Sequence, residues 1–212
     1  MTDYAAIFRD STIPPSVVEA AMGALRDIAA GDSDLLAVRH PLGFLCFPIE
    51  RHGTCGICVH MWSPTFPQAR LTTSEVHTHS WDLLSRILYG ELHNVRMTVL
   101  DDEPTHRVFE VRSDAGGDRL LRTSRLVRYQ KVADDVYGPG DSYSMRAGSF
   151  HASVASVATT VAIGMARPGK ADLSLGAIDG RTHFVFRERC DRQATARAAR
   201  LVAEQLSEAA IR

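Results

Sequence analysis

Between residues 43 and 166 the chain breaks into eight short apolar runs: 43–49, 56–62, 83–89, 92–100, 107–111, 126–132, 142–146 and 159–166. They are rich in β-branched and aromatic residues, and Gly, Pro and Asp separate them. Runs this short, bounded by turn-forming residues, predict strands rather than helices. So many in one stretch of chain imply a mainly β protein, a sandwich or barrel. Segments 101–104 and 113–118, the second reading Ser-Asp-Ala-Gly-Gly-Asp, predict loops.

A helix is expected on either side of this β region. In the first, Val17, Val18, Ala21, Leu25 and Ile28 recur on one face, Ser11 or Thr12 is a candidate N-cap, and Pro14 and Pro15 suit the first turn. Gly31 ends it. The second runs from about Asp191, its candidate N-cap, to Ile211, with an apolar stripe of Ala198, Leu201, Val202, Leu206 and Ala209. The expected division is an N-terminal helical extension over 1–40, a β-barrel over 41–170 and a C-terminal extension with a helix over 171–212.

A chain of 212 residues can bury a core without metals or disulfides to staple it. Its 24 Lys and Arg against 25 Asp and Glu leave a net charge of -1, with no basic excess to draw it to nucleic acid or an acidic membrane. No apolar run approaches the ~20 residues that span a bilayer, and the start MTDYAAIFRD lacks the pattern of a secretory signal. Four cysteines do not make a disulfide framework at this size. The expectation is a cytoplasmic protein with reduced thiols and a small-molecule substrate. There is no Gly-rich phosphate loop and no GxSxG elbow.

The most informative stretch is Glu75-Val76-His77-Thr78-His79, followed by an apolar strand ending at Gly90. Side chains alternate along a strand, so His77 and His79 share a face, two rises or ~6.6 Å apart. That spacing lets two neutral imidazoles converge on one metal ion, with Glu75 next in the row. A second stretch, Gly138-Pro139-Gly140 through Ala147-Gly148-Ser149-Phe150-His151, ends with a histidine at the head of a new strand.

HxH followed eleven residues later by Gly, and then by a distant PG…AGxxH, resembles the two motifs of the cupin superfamily. The resemblance covers roughly residues 72–166. It implies a double-stranded β-helix, or jelly-roll barrel, with a metal site inside, and metal ligands at His77, His79 and His151. The family's usual carboxylate ligand would fall near Leu83 or Leu84, which cannot bind metal, and Asp82 should face away from the cavity. A three-histidine set is the pattern the resemblance associates with thiol dioxygenase-like cupins, with Fe(II) as cofactor and open positions for O2 and a chelating substrate. Such a set also suits Zn(II), since imidazole serves both. The resemblance implies a homodimer.

Further residues are candidates for contact with substrate. Tyr89 looks into the barrel if its strand is regular, in the row of Leu83, Ser85 and Ile87. Arg146 would grip a carboxylate if its side of the strand, rather than that of Tyr143 and Met145, lines the cavity. Cys58, His60 and Trp62 share one face, and they become pocket residues if that face lines the barrel. His93 is a further polar candidate, and the segment 101–131 is expected to shape a lid or pocket rim. The expected activity is that of a mononuclear non-haem Fe(II) oxygenase acting on a small polar or amino-acid-like substrate. The alternatives are a zinc cupin like those of hydrazine-forming enzymes, using its metal as a Lewis acid, and a metal-containing binding protein without turnover.

Overall fold

A computed structural model describes residues 2–114 and 116–209. In chain order the strands are β1 (Val38–His40), β2 (Phe44–His52), β3 (Cys55–Trp62), β4 (His77–Thr78), β5 (Trp81–Gly90), β6 (Leu92–Leu100) and β7 (His106–Ser113). They continue as β8 (Gly117–Tyr137), β9 (Ser142–Met145), β10 (His151–Val154), β11 (Ala158–Ala166), β12 (Asp172–Gly176), β13 (His183–Phe186) and β14 (Glu188–Arg189). Each of the eight expected runs falls largely or wholly within a strand, the run 126–132 as the middle of the long β8. The whole is mainly β, with two antiparallel seven-stranded sheets and helices at both ends, the architecture expected of a cupin-type jelly roll.

One sheet runs β14-β1-β2-β3-β11-β5-β9 and the other β13-β8-β6-β10-β4-β12-β7. The 21-residue β8 pairs with β6 through its second half and with β7 through its first, so the second sheet closes on itself. The segment expected to form a lid or rim is therefore built into that sheet as β7 and the first half of β8. The expected 113–118 loop shortens to a tight hairpin, because Ser113 already pairs with Asp118. β12, β13 and β14 add strands to the same two sheets.

Alternation sorts the first sheet's side chains between two environments. Leu45, Phe47, Val59, Met61, Val161 and Ile163 are buried against the helices. The intervening residues Phe44, Trp62, Leu83, Ile87, Ala158 and Ala162 point the other way, into the barrel with Tyr143 and Met145. Among the described residues, three helices cover the outer face: α1 (Tyr4–Asp10), α2 (Pro15–Ala30) and α3 (Arg192–Ala209).

α2 buries Val17, Ala21, Leu25 and Ile28, and Gly31 ends it at φ 91°, as expected. Its start differs, since Pro14 occupies the N-cap and Ser11 instead ends the unanticipated α1, capped at its own start by the Asp3 carboxylate. Asp191 caps α3 by accepting the Ala194 N–H at 2.6 Å. Its stripe buries Ala198 and Val202; the expected end at Ile211 and the side chain of Ala209 lie outside what is described.

Candidate metal centre

His77 leads β4, His151 leads β10, and the two are direct partners in the antiparallel pairing of these strands. Cross-strand partners project to the same side, and His79 follows two residues after His77 on that side. The result brings together residues more than seventy positions apart: one ring nitrogen from each of His77, His79 and His151 lies within 4.8 Å of the others. The His77 and His79 Nε2 atoms are 3.3 Å apart.

Backbone carbonyls set the chemistry of two of these rings. His77 Nδ1–H donates to the Glu75 carbonyl at 2.8 Å, and His151 Nδ1–H donates to the Ser149 carbonyl at 3.2 Å. With Nδ1 committed as a donor, Nε2 carries the lone pair, which is the form a metal ligand needs. His79 is steered by the Trp81 ring stacked on it at 4.4 Å and 23°. Burial pushes the His77 pKa down to about 4, partly offset by the Glu75 carbonyl. Burial also holds His79 and His151 well below the usual histidine range, and the neighbouring imidazoles add to this. All three rings are thus neutral at neutral pH.

These residues fit a metal ion. Neutral imidazole nitrogens brought this close can offer their lone pairs to one cation, and metal–nitrogen bonds of about 2.0–2.1 Å suit such a cluster. Among the described residues no carboxylate joins the group. Glu75 is exposed, and Asp82 accepts from Ala147 N–H at 2.8 Å and Arg167 Nε at 2.7 Å instead.

Two other expected site residues lie elsewhere. A bulge in the β5–β11 pairing sets Thr160 opposite Ile87 but Thr159 opposite Tyr89. Thr159 faces α3, where its hydroxyl donates to Gln205 Oε1 at 3.3 Å, so Tyr89 is on the helix side of the sheet and outside the row of Leu83, Ser85 and Ile87. Arg146 is exposed, whereas Tyr143 and Met145 are the residues of that strand that face inward. His93 is also outside the cavity, bonded to Glu91 and Asp134 at the surface.

The barrel interior instead holds polar groups that the strand pattern indicated only in part. Cys58, His60 and Trp62 do line it. Three buried polar atoms, Trp62 Nε1, Asn94 Oδ1 and Thr160 Oγ1, have no hydrogen-bond partner among the described residues. Tyr143 sits within reach of the Ser85 and Ser153 hydroxyls, and burial raises its pKa. His40, which has no informative sequence spacing, stacks on Phe44 at 4.4 Å, and its Nδ1 accepts the Leu42 N–H. Burial, with His60 and His77 close by, takes the His40 pKa down to about 3. His40 and His60 in turn help to keep His79 neutral, so all these imidazoles share one interior.

No family model matches the sequence. No curated protein matches it either. Among solved structures, hydroquinone 1,2-dioxygenase from Sphingomonas sp. TTNP3, determined with 4-hydroxybenzoate bound, is similar over 57% of this chain and 64% of that one. The identity is 11% and the TM-score 0.34. The likeness spans less than two thirds of that protein, and at this level it decides nothing about activity.

Proposed function

We propose that this chain is a metal-dependent enzyme of the cupin type that oxidises a small polar substrate, with Fe(II) held by His77, His79 and His151. The observation that carries this reading is the convergence of three neutral imidazoles, two of them locked by backbone carbonyls with Nε2 facing the cluster. When bound, Fe(II) supplies the one-electron chemistry needed for reaction with O2.

The chain's own residues do the rest. An all-imidazole ligand set is uncharged, so the site favours an anionic group on the substrate, such as a thiolate or carboxylate. Trp62 Nε1–H can donate to a polar substrate, Asn94 Oδ1 can accept from it, and the Thr160 hydroxyl can do either. Each lacks a partner among the described residues, and buried polar groups are rarely left so. Phe44, Trp62 and Trp81 wall the interior with aromatic surface and keep water from the reacting groups.

The test is anaerobic loading with Fe(II), followed by O2 uptake screened against small thiols and amino acids. Substrate-dependent uptake by the wild type, with loss of bound iron when His77, His79 and His151 are all changed to Ala, is the expected result. Iron binding that survives the triple change, or iron-loaded protein with no uptake on any substrate, would sink the proposal.

A further inference from the structure

The first sheet carries a second group of metal-ligating side chains on its interior face, with donors unlike the three histidines. Cys46 of β2 lies directly opposite His60 of β3, and Cys58 lies opposite Pro48, two residues further along. All three side chains therefore leave the same side of one hairpin. Both sulfurs and a ring nitrogen of His60 fall within 4.8 Å of one another. The thiols are free, and all three residues are half-buried. The His60 ring is set between Phe44 and Trp62, with centroids 4.6 and 6.1 Å away.

We infer that Cys46, Cys58 and His60 form a second metal site, which takes a divalent ion of the zinc class through two thiolates and one imidazole.

Donor softness selects the ion. Sulfur and imidazole suit zinc and its borderline relatives, whereas magnesium and calcium need oxygen ligands, and none belongs to this cluster. Charge selects it too. Two thiolates balance a divalent cation and the imidazole is neutral, so the filled site has no net charge and suits a half-buried interior without a further counter-ion. Size is compatible: Zn–S bonds of about 2.3 Å and Zn–N bonds of about 2.0–2.1 Å put tetrahedral donors roughly 3.5–4 Å apart. A spread of up to 4.8 Å closes with a shift of about 1 Å in the side chains.

The site stands independently of the three-histidine reading, and it bears on that reading's test. Zinc found in purified protein would not identify the ion at His77, His79 and His151, because the thiolate site would hold it.

The experiment uses Co(II) as a probe, added to reduced, metal-stripped full-length protein, and reads the near-ultraviolet sulfur-to-cobalt charge-transfer band. The band should appear in the wild type, persist when His77, His79 and His151 are changed to Ala, and vanish in Cys46→Ser/Cys58→Ser. Loss of the histidine ligands would not touch it, so the two sites fail separately. A wild type that binds cobalt without this band, or a band that survives the double Ser change, would overturn the inference. A second measurement needs no variant: Zn(II) should protect Cys46 and Cys58 from alkylation, located by peptide mass spectrometry, while Cys55 labels equally with and without zinc. Equal labelling of all three, or recovery of Cys46 and Cys58 as a disulfide that reductant and Zn(II) cannot convert to the protected form, would count against the site.

Discussion

Asp82 of β5 accepts the backbone N–H of Ala147 at 2.8 Å, and so ties the strand after His79 to the turn that delivers His151 four residues later. Its other oxygen takes Arg167 Nε at 2.7 Å, while the Gly148 N–H donates to the His79 carbonyl at 2.8 Å. Burial alone would raise the Asp82 pKa, but the Ala147 N–H and the Arg167 guanidinium outweigh it and hold the carboxyl below its usual range.

A folded-state pKa below the unfolded one stabilises above the unfolded value, near 3.9, and the benefit is lost as pH falls through the folded value. Asp82→Ala should therefore cost about 1.5–3 kcal/mol at neutral pH, the range for hydrogen bonds to a charged group. The gap from wild type should narrow in acid. Chemical denaturation at several pH values checks this, and a pH-independent gap would refute the assignment.

His93 offers the opposite sign. Bonds to the Asp134 and Glu91 carboxylates raise its pKa. Its contribution to stability is fully present below the unfolded value of about 6.5 and is lost as pH rises through the folded value. NMR titration should place the His93 midpoint above that of an unpaired histidine, and Asp134→Asn should lower it. An unmoved midpoint in the variant would show that the pair seen here does not persist in solution.

Trp81 steers His79 by stacking rather than by a hydrogen bond, and it lies over Gly164, where a side-chain carbon would meet its ring at 3.0 Å. Trp81→Ala should weaken metal binding at the three histidines by about tenfold, the low end of what losing an outer partner costs. Competition against a calibrated chelator measures it. An affinity equal to wild type would mean that the ring is held by other contacts.

Gly90 ends β5 at φ 76°, and a Cβ there would meet the Val157 carbonyl oxygen at 2.1 Å. Gly90→Ala combines a strained backbone with a clash against main chain, and it should destabilise the fold by more than about 1 kcal/mol. Thermal unfolding of the variant tests this, and a transition at the wild-type temperature would refute it.

The strands could be read from sequence because they follow a periodicity of two. His77 and His79 needed only that alternation to share a face, whereas His151, more than seventy residues away, joined them only through the resemblance to the cupin motifs. Bulges break that alternation elsewhere, two of them in the first sheet. One lies between Ile87 and Tyr89 and turns Tyr89 toward the helices. The other falls between Pro48 and Glu50 of β2. Extending the outer register of that hairpin, His52 with Cys55 and Arg51 with Gly56, would set Cys46 against Met61; the slip sets it against His60. A bulge inserts one unpaired residue, and no single residue type announces it. α1 was missed for another reason: seven residues give too few turns for an apolar stripe to show.

The outer edge of the first sheet has a consequence for how the protein is made. β1, near the beginning of the chain, is paired on one side with β2 and on the other with β14, while α2 packs against α3. A ribosome releases β1 about 150 residues before its second partner, so one edge of that strand stays open for most of translation. Open edges recruit other strands. Until β14 is made, that edge of β1 is open to pairing by a strand from another chain.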